Sequence, residues 1–324
     1  MRLPAIDYDS HPLYADVAPR EAVRSKVLAD FAAQLEKKRA GLRQNLAGFQ
    51  SRAADASDPD ARRLAQDGAV CLTIDRNAKH DLGLAMAQAE AELEERLDGM
   101  RAAGERIRFS DTNLAIGAGY KPASGREDLF DKIAWILKRS GVRALAEAYY
   151  PDGWLKICNV TLRRNVPNQE FYRGGWTRLG LPDCRTSGMH IDSNTNLCCN
   201  AIIYLSEVGP EQGPFRYVRG SNRWRFDEED RAIRKAIDET PCGSVSGAGE
   251  LMLLPEEYRR KAGFGFDLAD GSPESERLLA DELTFTSDAG DLLLFDSEGV
   301  HRGGDVMAGH RSAILVNLTV KPRA

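Results

Sequence analysis

The segment Ser187-Gly188-Met189-His190-Ile191-Asp192 decides how the rest of this sequence is interpreted. Side chains two residues apart on an extended strand point to the same face, so His190 and Asp192 are predicted to lie side by side. An imidazole and a carboxylate placed in that way can bind one metal ion together. The H-x-D pattern also occurs by chance in surface turns and hydrogen-bonded pairs, so the pattern alone does not establish a metal site.

A second histidine that can complete such a site lies far downstream. The chain has five histidines, and His301 directly follows an apolar strand pattern at residues 292–296. Together with His190 and Asp192 it would form the three-cornered ligand face of non-haem Fe(II) oxygenases, which leaves positions open for a cosubstrate and O₂. The sequence therefore predicts that these three residues are the metal ligands. His310 is interpreted as a turn residue rather than a ligand.

Arg311 opens the most continuous apolar strand pattern of the chain, at residues 312–320. A buried arginine without an anion is costly, and the planar guanidinium suits bidentate pairing with a carboxylate. A dicarboxylate that chelates the metal at one end would meet Arg311 at the other. The alternative is an arginine at the rim of the fold that pairs with Asp305 or Asp296.

The order of these motifs resembles the phytanoyl-CoA dioxygenase family. The H-x-D motif is followed by a strand pattern at residues 200–205, by a glycine-rich segment at residues 208–222, and then by the distal histidine and the trailing arginine. The sequence GPFRYVRGSN at residues 213–222 is similar to the family's N-G-P-L…P-G-S-H signature, with Arg219 in place of the proline and Asn222 in place of the histidine. The resemblance extends over roughly residues 66–322.

The resemblance implies a mainly β protein with flanking helices (α+β), whose core is a double-stranded β-helix of the jelly-roll or cupin type with an N-terminal helical extension. It implies that Fe(II) is the cofactor and that 2-oxoglutarate and O₂ are the cosubstrates. Arg311 would bind the distal carboxylate of 2-oxoglutarate, and Asn200 and Thr161 are further candidates for contact with this cosubstrate. Halogenating relatives replace the carboxylate ligand with a small residue, so Asp192 favours hydroxylation or a related oxidation. The expected substrate is a small molecule or a carrier-linked group, with release of succinate and CO₂.

Two alternatives remain open at this point. The first is a cupin-like metalloenzyme that uses the same ligands without 2-oxoglutarate. The second is a catalytically silent binding protein on the same fold, which would bind neither the metal nor the cosubstrate tightly.

Composition limits the partners. The net charge of −5 argues against a nucleic-acid-binding surface, and nucleobase-repair relatives carry a second arginine where this chain has Asn317. No apolar run is long enough for a membrane helix, and the N-terminus lacks the apolar stretch of a signal peptide. The six cysteines show no C-x-x-C spacing and are interpreted as reduced thiols. These features predict a cytoplasmic protein without a membrane or nucleic-acid partner.

The pattern of apolar residues predicts an N-terminal arm and helical extension at residues 1–64 and an oxygenase domain at residues 65–324. Insertions are expected at about residues 165–187, next to the H-x-D motif, and at about residues 225–287. Helices are predicted at residues 21–49, where a basic run at 37–39 is expected to be a solvated face, at 81–103, and at 127–149, where Ser124 and Glu127 fit a capping box. A strand is predicted at residues 154–165, with Thr161 and Arg163 on the face opposite Val160 and Leu162.

Overall fold

The computed structural model describes residues 20–45, 58–105, 107, 109–150, 153–167, 185–186, 188–192, 198–224, 228–240, 253–255, 257–258, 261, 270–288 and 291–322. The predicted N-terminal arm, most of the insertion at residues 165–187 and much of the insertion at residues 225–287 lie outside these ranges.

The α-helices of the described residues lie before and between the strands. They are α1 (Arg20–Asn45), α2 (Pro59–Asp67), α3 (Arg76–Ala102), α4 (Glu127–Arg139), α5 (Val142–Tyr149), α6 (Glu228–Asp238) and α7 (Pro273–Ala280). α2 begins at Pro59, because Asp58 accepts hydrogen bonds from the first backbone N–H groups and proline suits the first turn of a helix. None of the described helices has the length and apolar character that crossing a membrane requires.

The strands form two antiparallel sheets. They are β1 (Ala69–Leu72), β2 (Asn113–Ala118), β3 (Lys121–Pro122), β4 (Gly153–Asn165), β5 (Cys198–Tyr204), β6 (Phe215–Val218), β7 (Glu282–Phe285), β8 (Leu292–Asp296), β9 (His301–Arg302) and β10 (Arg311–Pro322). The large sheet has the order β1-β8-β5-β10-β4-β2-β3, and the small sheet has the order β7-β6-β9. Along the chain, β5, β8 and β10 belong to the large sheet and β6, β7 and β9 to the small one, so the chain crosses repeatedly between the two layers.

One face of the large sheet packs against the helices. Alternate residues of β8 and β10, such as Leu292, Leu294, Ile314 and Val316, are buried in one cluster with apolar side chains from α2, α3, α4 and α5. Strand alternation sends every second side chain to this layer. The prediction that helices cover the outside of the sheet is confirmed.

The other face of the large sheet looks towards the small sheet. Leu293 and Phe295 of β8 join Phe215 and Tyr217 of β6 in a second apolar cluster between the two layers. Two facing antiparallel sheets with this core are the double-stranded β-helix, and the predicted α+β fold class is confirmed.

The predicted helix from residue 127 to residue 149 is wrong in two respects. It is divided into α4 and α5, because Gly141 adopts a left-handed conformation (φ 74°) that ends the first helix and opens the second. The predicted capping box at Ser124 is also wrong. The residue that precedes α4 is Arg126, and no side chain caps this helix terminus.

The sequence predicted that the basic run of α1 is a solvated face. This prediction is wrong for two of its residues. Lys38 is buried and donates to Glu239, and Arg39 forms a bidentate contact with Glu229 of α6. The helical extension therefore docks on the second insertion.

The domain limit at residue 64 stays a prediction. Leu64 of α2 is buried in the main core, so a truncation that tests this limit should begin before α2.

Candidate metal centre and carboxylate site

Backbone pairing brings His190 and His301 together. The two residues form an isolated antiparallel bridge in which each backbone N–H donates to the carbonyl of the other, at 3.0 and 2.9 Å. Residues directly opposite each other in an antiparallel pair project to the same face, so both imidazoles enter the space between the sheets. Their ring centroids are 4.5 Å apart. The backbone hydrogen bonds of this bridge bring together two histidines that are far apart in the sequence.

Asp192 completes a three-residue cluster at this point. Its backbone N–H donates to Ser297 O at 3.0 Å, which fixes the chain two residues beyond His190. Asp192 Oδ1 lies 3.7 Å from His190 Nε2 and 3.6 Å from His301 Nε2. One ligand atom from each residue lies within 4.8 Å of the other two. The three residues predicted from sequence are therefore brought together.

Each imidazole is oriented by a backbone carbonyl. His190 Nδ1 lies 2.9 Å from Gly188 O, and His301 Nδ1 lies 2.8 Å from Gly299 O. A carbonyl can only accept, so Nδ1 carries the proton in both rings and the Nε2 lone pairs face the cluster. Hydrogen bonds of this kind fix the tautomer that a metal ion needs.

The cluster is electrostatically coupled. Burial and the neighbouring His301 lower the pKa of His190 to about 4, so this ring is neutral at neutral pH. Burial by itself lowers the pKa of His301, but the Asp192 carboxylate outweighs burial and raises it. Burial likewise raises the pKa of Asp192, but His301, His190 and Asn200 outweigh it and hold that pKa below its ordinary value. The carboxylate therefore favours a positive charge at this place, and a divalent cation would supply that charge.

The segment that precedes His301 is fixed by hydrogen bonds to several buried side chains. Ser221 Oγ accepts from the Val300 N–H at 2.7 Å, and Tyr217 Oη donates to Asp296 O at 2.9 Å. Asn222 Nδ2 and the Asp296 carboxylate both contact Tyr149 Oη, at 3.0 and 2.6 Å. The segment that resembles a family signature thus positions the distal histidine, although it contributes no ligand.

Asp192 has a polar support on the cavity side. Asn200 Nδ2 donates to Asp192 Oδ2 at 2.8 Å, and Asn317 Nδ2 donates to Asn200 Oδ1 at 2.9 Å. Because Oδ2 accepts from Asn200, the other oxygen of Asp192, Oδ1, faces the two histidines. The sequence analysis did not identify Asn317 as a support for Asp192. Strand alternation alone places Asn317 on the same face of β10 as Arg311.

Arg311 lies in the same cavity as the histidine cluster and is buried. Its Nε and Nη2 donate to Asn165 Oδ1 at 3.2 and 2.9 Å, and Nη1 makes a long contact of 3.4 Å with Gly304 O. Among the described residues it forms no ion pair, so the alternative of a rim arginine paired with Asp305 or Asp296 is not found. Burial lowers the pKa of Arg311 against the opposing influence of Tyr204 and Asp305.

The cavity has a volume of about 270 Å³. It is lined by the cluster, by Arg311 and by residues that share the inward face of the sheets, among them Arg163, Asn165, Asn200, Tyr204, Phe295 and Asn317. Thr161 is on the same face of β4 as Arg163 and Asn165 but does not line the cavity. Its contact with a cosubstrate stays a prediction, as does that of Asn200, whose amide contacts Asp192.

The residues present fit an iron ion. Two imidazole nitrogens and one carboxylate oxygen are the donor set of the non-haem Fe(II) facial triad, and the three side chains that would hold the ion line the cavity. The structure therefore defines a double-stranded β-helix with a candidate metal centre between its sheets.

Comparison with known families agrees with this class. Residues 184–313 match the family model "Phytanoyl-CoA dioxygenase (PhyH)". The matched segment contains all three residues of the cluster and Arg311. The resemblance predicted from the sequence motifs is confirmed, and the match supports a dioxygenase-type function.

Solved structures with a similar arrangement are distant in sequence. The alpha-ketoglutarate-dependent epimerase SnoN from nogalamycin biosynthesis is 16% identical, with a TM-score of 0.44 over 82% of this chain and 84% of that one. The carbocyclase SnoK from the same biosynthesis is 15% identical, with a TM-score of 0.45 over 85% and 90% of the two chains. EctD from S. alaskensis, solved with 2-oxoglutarate and 5-hydroxyectoine, is 13% identical, with a TM-score of 0.47 over 85% and 81%. No curated protein sequence matches this chain.

Proposed function

We propose that this protein is an Fe(II)- and 2-oxoglutarate-dependent dioxygenase that hydroxylates a small-molecule or carrier-linked substrate. In the overall reaction a substrate C–H group, O₂ and 2-oxoglutarate give an alcohol, succinate and CO₂. One oxygen atom enters the alcohol and the other enters succinate. The observation that carries the proposal is the meeting of His190, Asp192 and His301 in the cavity that also contains the buried Arg311.

In this proposal the three clustered residues hold the metal. The Nδ1 contacts of the histidines keep both Nε2 atoms free to coordinate, and Asn200 keeps Oδ2 of Asp192 occupied so that Oδ1 is presented. When bound there, Fe(II) supplies the redox chemistry that couples decarboxylation of 2-oxoglutarate to oxidation of the substrate.

Arg311 supplies the positive charge for the cosubstrate. Its guanidinium is buried and has neutral oxygen acceptors only among the described residues. A carboxylate that enters the cavity would pair with this charge, as fork-shaped guanidinium groups do. Apolar side chains such as Phe215 and Phe295 wall the same space and exclude water from it.

The cavity and the net charge limit the substrate class. A cavity of about 270 Å³ suits a small molecule or the end of a carrier-linked group. The net charge of −5 opposes a nucleic-acid substrate. Amino acids, acyl groups and polycyclic metabolites are the three substrate classes to be compared.

The test combines binding with turnover. The protein is loaded with Fe(II) without oxygen, and 2-oxoglutarate binding is measured by calorimetry. Oxygen is then admitted, and succinate is quantified with members of each of the three substrate classes. We expect one iron per chain, saturable binding of 2-oxoglutarate, and succinate release that rises with one substrate class, whose product gains one oxygen atom.

Three outcomes contradict all or part of the proposal. Iron binding without 2-oxoglutarate binding would indicate a cupin-like metalloenzyme of another class. Binding of neither would indicate a silent protein on this fold. A product that has lost two hydrogens, or has been rearranged, would retain the oxygenase but overturn hydroxylation.

A further inference from the structure

Asn165 and Arg311 face each other across two neighbouring strands. They are directly paired in the register of β4 and β10, at the end of both strands next to the cavity. Both side chains are buried, with 1% and 7% of their surface exposed. Directly opposed side chains of an antiparallel pair lie on the same face, so this contact follows from the register.

The Asn165 amide has only one orientation compatible with its neighbour. Its Oδ1 accepts from both Nε and Nη2 of Arg311, at 3.2 and 2.9 Å. The opposite orientation would place amide N–H groups against guanidinium N–H groups, which have no acceptor to offer. The Nδ2 group must therefore point away from the guanidinium.

That Nδ2 group is buried and has no hydrogen-bond partner among the described residues. An unsatisfied buried donor costs about 1–3 kcal/mol, so groups of this kind are rare in folded proteins. Asn165 lines the same cavity as Arg311 and the histidine cluster. The donor is thus available to a ligand that enters the cavity.

The chemistry of the missing partner follows from its surroundings. Next to the free amide donor lies a buried guanidinium whose described contacts are neutral oxygens. A partner that satisfies both must accept hydrogen bonds and carry negative charge. A carboxylate, with two oxygens that only accept, meets both requirements.

We propose that Asn165 is a specificity-determining residue that donates its amide N–H directly to the carboxylate paired with Arg311. This inference rests on the proposed function, in which that carboxylate is the distal one of 2-oxoglutarate. Asn165 then has two functions: Oδ1 fixes the guanidinium, and Nδ2 contacts the ligand. The site selects a dicarboxylate over a 2-oxo acid that lacks the second carboxylate.

A double-mutant cycle separates direct contact from support of Arg311. The variants Asn165→Leu, Arg311→Leu and the combination of both are loaded with Fe(II) without oxygen. Affinities for 2-oxoglutarate and for 2-oxobutanoate, which lacks the distal carboxylate, are measured by calorimetry or, where weak, by ligand-observed NMR. Asn159→Leu is the matched control, because Asn159 lies on the same strand and its side chain accepts from Gly119 N instead.

Direct contact predicts that Asn165→Leu weakens 2-oxoglutarate binding further when Arg311 is already leucine. The expected factor is about 10–100, since a hydrogen bond to a charged group contributes about 1.5–3 kcal/mol. Binding of 2-oxobutanoate stays within about twofold of wild type in Asn165→Leu, and the control binds both ligands normally. An Arg311→Leu protein and a double variant of equal affinity would overturn the proposal and leave Asn165 as a support for Arg311 only.

A second variant, Asn165→Asp, distinguishes a loss of ligand binding from a loss of folding. Asn165→Asp keeps the acceptor for Arg311 but replaces the donor with a charge that repels a carboxylate. We expect a melting temperature no lower than that of wild type, a loss of 2-oxoglutarate affinity of at least about tenfold, and unchanged binding of 2-oxobutanoate. Unchanged 2-oxoglutarate affinity would contradict the proposal. A wild-type protein that binds no 2-oxoglutarate would instead refute the proposed function itself.

Discussion

The two faces of the large sheet are built from alternate residues of the same strands and differ in almost every property. On β10, Ile314 and Val316 enter the helix-covered core, whereas Arg311 and Asn317 enter the cavity. The first face is filled by apolar contacts. The second combines buried polar groups, a cavity and a buried charge without an ionic partner among the described residues.

The difference shows where the stability and the chemistry of this protein reside. Burial of apolar side chains stabilises the fold at about 25 cal/mol per Å², and no ligand is needed for it. Buried polar groups lower stability unless they are paired, so their retention on the cavity face indicates a ligand that completes them. Three of the predictions below compare a residue of the cavity face with a counterpart outside the cavity, and one tests the helix-covered face.

The largest effect is expected at the carboxylate of the cluster. Asp192→Ala removes one of the three proposed ligands, so we expect iron binding and turnover to be lost. Asp296→Asn is the counterpart: its carboxylate is buried and accepts from Tyr149 Oη and from Glu298 N, and it does not line the cavity. This variant should lose about 1–3 kcal/mol of stability and still bind one iron per chain.

Metal analysis and thermal unfolding of both variants test the comparison. An Asp192→Ala protein that binds iron and turns over like wild type would remove Asp192 from the ligand set.

A large effect on the cosubstrate is expected at Arg311. Arg311→Ala would leave the carboxylate without its charge partner, which costs about 3–5 kcal/mol, or about two to four orders of magnitude in 2-oxoglutarate affinity. Its counterpart is Arg302, which is equally buried but pairs with Glu282 at 2.7 and 2.9 Å. Arg302→Ala should lower stability without changing the affinity of the folded protein. Equal 2-oxoglutarate affinity in Arg311→Ala and wild type would assign Arg311 to structure.

On the helix-covered face, substitution should affect stability alone. Leu294 is fully buried among apolar side chains. Leu294→Ala leaves a cavity there and should lower the free energy of unfolding by about 2–5 kcal/mol. Chemical denaturation measures the loss, and the iron content of the folded protein should stay at that of wild type. A loss of iron binding by folded Leu294→Ala would show that the two faces are not independent.

The smallest effect is expected at the end of the hydrogen-bond chain behind Asp192. Asn317→Leu removes the donor that orients Asn200, which in turn contacts Asp192 Oδ2. Outer partners of metal ligands contribute about 10- to 100-fold in metal affinity, and we expect a loss at the lower end of that range. A chelator competition assay measures the iron affinity. Asn159→Leu is the control, because Asn159 is not part of these hydrogen bonds and accepts from Gly119 N instead. No change in Asn317→Leu would limit the support of Asp192 to Asn200.

The sequence predicted the metal cluster better than its supports. His190 and Asp192 share a face through a spacing of two, and His301 stood out as the histidine that follows a strong strand pattern. Asn165 and Asn317 were missed because asparagine is common in turns and at strand ends, and nothing local distinguishes a buried amide from a solvated one. Their roles depend on the register between β4, β5 and β10, which a single sequence does not specify.

Helix limits were the least predictable local feature. Gly141 interrupts a continuous apolar stripe, and the predicted cap at Ser124 lies too far from the first helical residue. Lys38 and Arg39 were interpreted as solvated because their partners, Glu239 and Glu229, are about two hundred residues away.

By itself, the sequence determined the alternation of the strands, the apolar layer beneath the helices and the identity of the candidate ligands, because these depend on residue type and local spacing. Only the tertiary structure decided that His190 and His301 form a backbone bridge, that Arg311 has an asparagine rather than a carboxylate beside it, and that one amide donor is left for a ligand. The physical reason is that hydrogen bonds and charges act over a few ångströms in space, whatever the separation of their residues along the chain.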